Sequence, residues 1–133
     1  MIRTYLDSSV LIHAVQGVSA SATAMLLADP QREFVAATLL KLELLPQPTF
    51  HHRPAELAFH QAFFERVKEW VPASEELLAQ ALHEAGIVPL SAMDAWHVAA
   101  ARRLGAAEFI TSEKPSKPLY KVKGLKVTAL VSL

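Results

Sequence analysis

Short runs of β-branched and aromatic residues alternate with stretches of helical periodicity, and this alternation limits the fold of the chain more than any other feature. The predicted strands are residues 2–6, 34–37, 70–72, 108–111 and 126–130. The predicted helices are residues 9–15, 20–28, 38–45, 54–68, 75–85 and 91–104. Strands that alternate with helices form a mostly parallel sheet with helices on both of its faces. We therefore predict an α/β fold of the three-layer α/β/α class, in a single domain over residues 1–133.

Serine, proline and glycine residues determine the predicted helix ends. Ser74 and Ser91 can cap the helices that follow them, and Pro54 suits the first turn of a helix. Proline cannot continue a helix, so the predicted helix 38–45 stops before Pro46. The other predicted stops are Pro30, Pro48, Gly86 and Gly105.

Composition excludes several classes of site and partner. The chain has no cysteine, which excludes disulfides, thiolate nucleophiles and cysteine-based zinc sites. Its 13 basic residues balance its 13 acidic ones, so the net charge indicates no polyanionic partner. The apolar runs are too short to cross a bilayer, and no signal peptide is recognisable, so we expect a soluble cytoplasmic protein without membrane association.

Four acidic residues follow strand ends or begin helices in this arrangement. Asp7 directly follows a predicted strand, Glu113 follows another after one residue, and Glu43 and Asp94 lie in the first turns of predicted helices. In a parallel sheet these positions meet at the edge formed by the carboxyl ends of the strands, where such folds bind ligands. We therefore expect the four carboxylates to lie on one side of the molecule.

Each acid also has a structural interpretation. Asp7 could cap the helix that follows it, although Ser8 could do so instead. Asp94 stands three residues after Ser91, a spacing close to a capping box. Glu43 could face solvent from its helix, and Glu113 could be an exposed turn residue.

The predicted group of carboxylates indicates a metal site. Four clustered acids repel one another and raise one another's pKa values unless a cation neutralises them. Oxygen ligands favour Mg²⁺ or Mn²⁺ over zinc or copper. Such ions hydrolyse phosphodiester bonds by lowering the pKa of an attacking water and neutralising charge on the phosphate.

The end of the chain is basic. After Glu113 there is no further acid, and the basic residues of this stretch are Lys114, Lys117, Lys121, Lys123 and Lys126. They could contact a nucleic acid, or they could be solvated residues of a loop and an edge strand, where lysine discourages aggregation.

Four segments of the chain together resemble the motifs of the PIN-domain nucleases. They are residues 6–12 around Asp7, Glu43 in its helix, residues 93–101 around Asp94, and residues 109–113. The resemblance is greatest to the VapC-like toxins of bacterial toxin–antitoxin pairs and covers essentially the whole chain. It implies a five-stranded parallel sheet in the order 3-2-1-4-5, Mg²⁺- or Mn²⁺-dependent endoribonuclease activity on RNA, a homodimer, and a cognate antitoxin protein.

The resemblance also implies roles for individual residues. Asp7, Glu43 and Asp94 match the three principal metal-binding acids, and Ser9 and Thr111 match polar positions that steady the site. The fourth acid of the family is commonly Asp followed by an aromatic residue, whereas here Glu113 is followed by residues 114–118, which include two prolines. A catalytically degenerate PIN-like module that binds RNA or protein is therefore the alternative. An aspartyl phosphatase is disfavoured because Ser9 stands where its second acid belongs.

Two further expectations concern His97 and the assembly. His97 lies three residues after Asp94 on the same helical face, where it suits a supporting or packing role better than direct binding of Mg²⁺. The helices at 20–28 and 54–69 contain more apolar residues than one sheet face needs, which supports the predicted homodimer. The apolar residues concerned are Met25, Leu26, Leu27, Leu57, Phe59, Phe63 and Phe64.

Overall fold

Five parallel strands form one sheet at the centre of the computed structural model, which describes residues 1–130. The strands are β1 (Ile2–Leu6), β2 (Arg32–Ala37), β3 (Val67–Val71), β4 (Glu108–Thr111) and β5 (Lys126–Ala129). Their order across the sheet is β3-β2-β1-β4-β5, and every neighbouring pair is parallel. The order 3-2-1-4-5 implied by the resemblance is therefore confirmed. The C-terminal ends of all five strands lie on one edge, which we call the carboxyl edge.

Helices connect the strands and cover the sheet. They are α1 (Ser8–Val15), α2 (Ala20–Ala28), α3 (Leu40–Leu44), α4 (Pro46–Phe50), α5 (Pro54–Arg66), α6 (Glu75–Ile87) and α7 (Ala92–Arg103), with a 3₁₀ helix at Pro118–Lys121. Ser74 and Ser91 cap α6 and α7 as predicted, because their hydroxyl oxygens accept from the amides of Leu77 and Asp94 at 3.0 and 3.2 Å.

Alternate residues of the central strands point to opposite faces of the sheet, as the period of two in a strand requires. The side chains of one face pack into a core cluster that contains Tyr5, Val35, Ala37 and Phe109. Those of the other face pack into a second cluster that contains Leu6, Phe34, Ala36 and Ile110. Both faces are covered, which explains why these strands have nearly continuous apolar sequences.

The structure corrects the prediction around the prolines and β3. Pro46 does not lead into an irregular segment, because it occupies the first turn of α4, where a missing amide proton has no cost. β3 begins at Val67, not at residue 70, and α5 ends at Arg66. Pairing with β2 explains both shifts, since it places Val67 opposite Phe34 in the sheet. α6 also continues past Gly86 to Ile87, whereas Gly105 follows the end of α7 as predicted and adopts the left-handed conformation with φ of 66°.

The apolar residues predicted to be in excess are mostly packed within the chain. Leu26 and Phe63 are buried in the second core cluster, and Leu27, Phe59 and Phe64 pack against it. Leu57 is half-buried, and only Met25 is largely exposed, at 76%. This part of the argument for a dimer is therefore wrong, because the helices use those side chains to cover their own sheet. Within residues 1–130 no helix is both long and apolar enough to span a membrane.

Candidate metal centre at the carboxyl edge

Asp7 lies immediately after β1 and is 4% exposed. It occupies the position before α1, but its side chain makes no capping hydrogen bond. Its Oδ2 instead accepts from the hydroxyls of Ser9 and Thr111, each at 2.8 Å. The structure therefore does not support the capping interpretation of Asp7. It also brings Ser9 and Thr111, which the resemblance assigned to polar positions that steady the site, to the carboxylate of Asp7.

Backbone amides orient those two hydroxyls. Ser9 Oγ accepts from the amide of Ser112 at 3.0 Å, and Thr111 Oγ1 accepts from the amide of Glu113 at 3.0 Å. A backbone N–H group can only donate, so each hydroxyl oxygen accepts that hydrogen bond and its own proton points to another group. Both protons are thus available to Asp7, and the loop after β4 fixes the position of its carboxylate.

Glu43 is held by a series of side-chain contacts that begins in the core. Its Oε1 contacts Nε2 of His97, and its Oε2 accepts from the hydroxyl of Ser8 at 3.0 Å. The other ring nitrogen of His97, Nδ1, contacts the hydroxyl of Tyr5. A carboxylate only accepts, so we assign the Nε2–H tautomer to neutral His97, with Nδ1 accepting from Tyr5.

These contacts argue against two interpretations, direct metal binding by His97 and a solvent-facing Glu43. His97 is 1% exposed and both of its nitrogens are engaged, so the expected supporting role is the one that the geometry favours. Glu43 is not a free solvent-facing residue, since both carboxylate oxygens have partners. Burial raises the pKa of Tyr5 well above its ordinary value, and the charges of Glu43 and Asp7 add to this effect. The phenol therefore remains a hydrogen-bond donor at neutral pH.

Asp94 is half-buried in the first turn of α7. Burial is the largest cause of a raised pKa for this carboxyl, followed by the negative charge of Asp7, while Ser91 opposes the shift and Glu113 adds to it. The negative charges of Asp7 and Glu113 thus act on the Asp94 carboxyl, while the cap made by Ser91 uses the backbone amide of Asp94.

Tyr120 is a residue of this region that the sequence analysis did not identify. Its hydroxyl donates to the carbonyl of Glu113 at 2.7 Å. Partial burial raises the pKa of its phenol, and the charges of Glu113 and Asp7 raise it further. The 3₁₀ helix at Pro118–Lys121 contains this residue, and the hydrogen bond brings it close to Glu113. Pro118, two residues before Tyr120, is a sequence signal for this turn.

The charge and placement of the acids bear on metal binding. No Lys or Arg within residues 1–130 forms an ion pair with Asp7, Asp94 or Glu113. The donors are carboxylates and hydroxyls, which suit a hard divalent cation in charge and chemistry. However, no three His, Cys, Asp or Glu side chains in the described part of the chain are placed together so that they could hold a metal ion. The residues therefore fit such a cation in type but are not arranged as a completed ligand group.

Three solved structures share this architecture. A chain of VapBC2 from Rickettsia felis, bound to a DNA fragment from its promoter, has a TM-score of 0.73 at 10% sequence identity, over 96% of this chain and 98% of that chain. A chain of a toxin–antitoxin complex from Klebsiella pneumoniae has a TM-score of 0.71 at 18% identity, over 96% and 97%. A chain of VapBC-1 from nontypeable Haemophilus influenzae has a TM-score of 0.71 at 16% identity, over 98% and 99%.

No protein-family model and no curated protein matches the sequence. At identities of 10–18% these similarities establish the fold and leave the activity open. The chain therefore has the PIN-domain fold of the VapC-like toxins, as the motifs predicted.

Proposed function

We propose that the protein is a Mg²⁺- or Mn²⁺-dependent endoribonuclease and the toxin of a toxin–antitoxin pair. The main support is the carboxyl edge, where Asp94 is repelled by Asp7 and Glu113 and no basic side chain of residues 1–130 pairs with these acids. Carboxylates without a basic partner near the ligand-binding edge of an α/β fold suit a divalent cation. The shared fold with chains of toxin–antitoxin complexes supports the biological role.

Asp7, Glu43 and Asp94 would hold the cation, with Glu113 as a fourth acid. Ser9 and Thr111 orient Asp7, and the pair formed with His97 orients Glu43. The bound ion would lower the pKa of an attacking water and neutralise charge on the scissile phosphate.

The lysines after Glu113 would contact the RNA backbone. All five are exposed, and none forms an ion pair in the part of the chain that the structure describes. Lys114 and Lys117 lie closest in sequence to the acidic site, on the loop that also contains Tyr120. Phosphate contacts of this kind give affinity that decreases with added salt.

The proposed partners are a second copy of the chain and a cognate antitoxin, in the cytoplasm. Leu42 is 67% exposed on α3, the helix that contains Glu43, and Phe50 is 77% exposed on the adjacent α4. Exposed apolar residues of this size commonly mark an interface. We expect a dimer mass in solution at micromolar concentration, and a monomer after Phe50→Glu if this surface forms the dimer.

A binding module without catalysis is the second candidate. Two observations favour it: the three principal acids do not form a completed ligand group among the described residues, and Glu113 stands at the position of the usual Asp. Such a module would bind RNA or protein through the same edge, with no dependence on a metal ion.

The decisive experiment is cleavage of a mixed RNA pool in Mg²⁺ or Mn²⁺, with the product ends mapped. We expect cleavage by the wild type that a chelator abolishes, and a decrease of at least about 100-fold in Asp7→Asn and Asp94→Asn, since each variant removes a charged ligand. Glu65→Gln is the matched control, because Glu65 is an exposed acid of α5 outside the site.

Full activity in either variant, or in the presence of a chelator, would contradict the nuclease proposal. Binding of RNA without turnover, unchanged by a chelator, would instead support the binding module.

A further inference from the structure

A small cavity with both polar and apolar walls lies beside Glu43. Its volume is about 220 Å³, and it is bordered by α1, α3, α4 and the start of α5. Glu43 lines this cavity and also belongs to the acidic site. The cavity is smaller than the range of about 300–1,000 Å³ found for drug-sized ligands, so it suits a single ring system.

His60 is an unexplained buried polar residue in the wall of this cavity. It is 2% exposed, and its Nδ1 has no hydrogen-bond partner among the described residues. A buried polar atom without a partner costs free energy, so such an atom in a residue that lines a cavity indicates a place for a ligand. Burial lowers the pKa of His60, which keeps the imidazole neutral near pH 7 with one donor and one acceptor nitrogen.

Exposed polar side chains surround the cavity. Gln16, Gln47 and Arg53 line it and are all exposed. Each glutamine amide has a donor and an acceptor group, which the edge of a nucleobase requires, and Oε1 of Gln47 lies 3.1 Å from Nε2 of His51. Arg53 is 54% exposed and contacts Glu56 at 3.5 Å, so most of its donors remain available to a phosphate.

We propose that this cavity binds one base of the RNA substrate beside the scissile bond, and that Gln16, Gln47 and His60 determine which base is preferred. The apolar walls, which include Ile12 and Leu44, would contact the faces of the ring. The inference rests on the proposed nuclease function, because Glu43 would then link the base pocket to the bond that is cut. Arg53 would contact the phosphate of the same nucleotide.

The first test measures base preference. Wild type, Gln47→Leu and His60→Leu cleave a pool of short RNAs with randomised bases on either side of the cut, and the product ends are sequenced. We expect each variant to lower kcat/KM for the preferred base by about 3- to 10-fold, the scale set by the loss of one hydrogen bond, and to flatten the preference. Gln61→Leu is the matched control, since Gln61 is an exposed glutamine of α5 that does not line the cavity.

The second test measures binding without turnover. Asp94→Asn is titrated with each of the four nucleoside 5′-monophosphates while the imidazole resonances are followed by NMR, and His60→Leu assigns the signal of His60. We expect one nucleotide to shift the His60 signal more than the other three. A control spectrum with inorganic phosphate separates contact with Arg53 from binding of the base.

The two tests distinguish the failure of this inference from the failure of the proposed function. If the wild type cleaves RNA but base preference is unchanged in Gln47→Leu and His60→Leu, and no nucleotide shifts His60, the base pocket is overturned and the nuclease proposal stands. If the wild type does not cleave RNA but one nucleotide shifts the His60 signal selectively, the nuclease proposal fails and the base pocket stands.

Discussion

Removing the hydroxyl of Tyr5 tests whether the side-chain contacts from Tyr5 through His97 to Glu43 stabilise the fold. Tyr5→Phe deletes the donor to Nδ1 of His97, and both residues are 1% exposed, so water cannot replace the lost partner. The aromatic packing stays intact: the ring of Tyr5 stacks on Phe109 at 5.3 Å and meets His97 edge-on at 5.5 Å. The substitution therefore removes one hydrogen bond without creating a cavity.

The expected cost follows from the buried acceptor left behind. A buried polar atom that loses its partner costs about 1–3 kcal/mol. For a chain of 133 residues, each kcal/mol lowers the Tm by about 3–5 °C, so we expect a decrease of about 3–15 °C. Thermal or urea unfolding followed by circular dichroism measures this directly. If the protein is the proposed nuclease, kcat should also decrease with little change in KM, because His97 positions Glu43.

Tyr120→Phe is the internal control, because it makes the same chemical change at the other tyrosine of the chain. Tyr120 is half-buried and donates to a backbone carbonyl at 2.7 Å, and water can replace that donor. We expect the loss of about 0.5–1.5 kcal/mol that is typical of an ordinary hydrogen bond. A cost at Tyr5 no larger than that at Tyr120 would refute the reasoning.

Three further predictions concern charge. Asp94→Asn should be more stable than the wild type by about 0.5–2 kcal/mol at pH 7 in metal-free buffer, and equally stable near pH 3. The reason is that burial and the charge of Asp7 raise the pKa of Asp94. The stability linked to its protonated form is therefore present below the ordinary carboxyl pKa and is lost as pH rises through the raised pKa of the folded protein. Unfolding of both proteins at the two pH values measures this difference. Mg²⁺ at about 100 times its Kd should stabilise the wild type by about 2.7 kcal/mol in a thermal shift assay and leave Asp94→Asn unchanged, whereas an equal shift in both would place the ion elsewhere. Arg32→Gln should cost about 3 kcal/mol because it leaves Glu108 buried without its main partner. Burial alone would raise the pKa of Glu108, but hydrogen bonds from Arg32 and Thr4 lower it overall. The contribution of Glu108 to stability is therefore present above the ordinary Glu pKa and is lost as pH falls through the lowered pKa of the folded protein. This loss of stability in acid should be smaller in Arg32→Gln.

The sequence was sufficient for the order of elements but not for every boundary. Runs such as residues 2–6 and 108–111 have one pattern and no competing signal, and they form β1 and β4 as predicted. β3 was shortened in the prediction because Val67–Glu69 continues the helical pattern of α5, and only pairing with β2 makes it a strand. Pairing between distant segments is a tertiary effect, which local propensity does not include.

The residues of the candidate site also divide into those that the sequence predicted and those that it did not. Asp7 and Glu113 were predictable because the end of a strand determines where the next residue lies. Their partners were not predictable from spacing, since Asp7 and Thr111 are 104 residues apart and Tyr5 and His97 are 92 apart. For Ser9 and Thr111 the resemblance to a family provided the expectation, and for His97 its spacing from Asp94 did so. Neither route identified Tyr120.

Two equally buried acids in this fold have different kinds of hydrogen-bond partner, and the difference distinguishes a structural acid from an acid of the candidate site. Glu108 begins β4, is 4% exposed, and forms an ion pair with Arg32 at 2.6 Å. Asp7 lies beside the other end of β4, is also 4% exposed, and accepts only from hydroxyl groups among its side-chain contacts within residues 1–130. Arginine neutralises a buried carboxylate, whereas a hydroxyl fixes its position and leaves its charge in place. The consequence appears at the neighbouring residue, because the charge of Asp7 contributes to the raised pKa of Asp94. An arginine beside Asp7 would remove that repulsion and stabilise the fold, so the use of neutral donors at the carboxyl edge favours a site that keeps its negative charge for a cation.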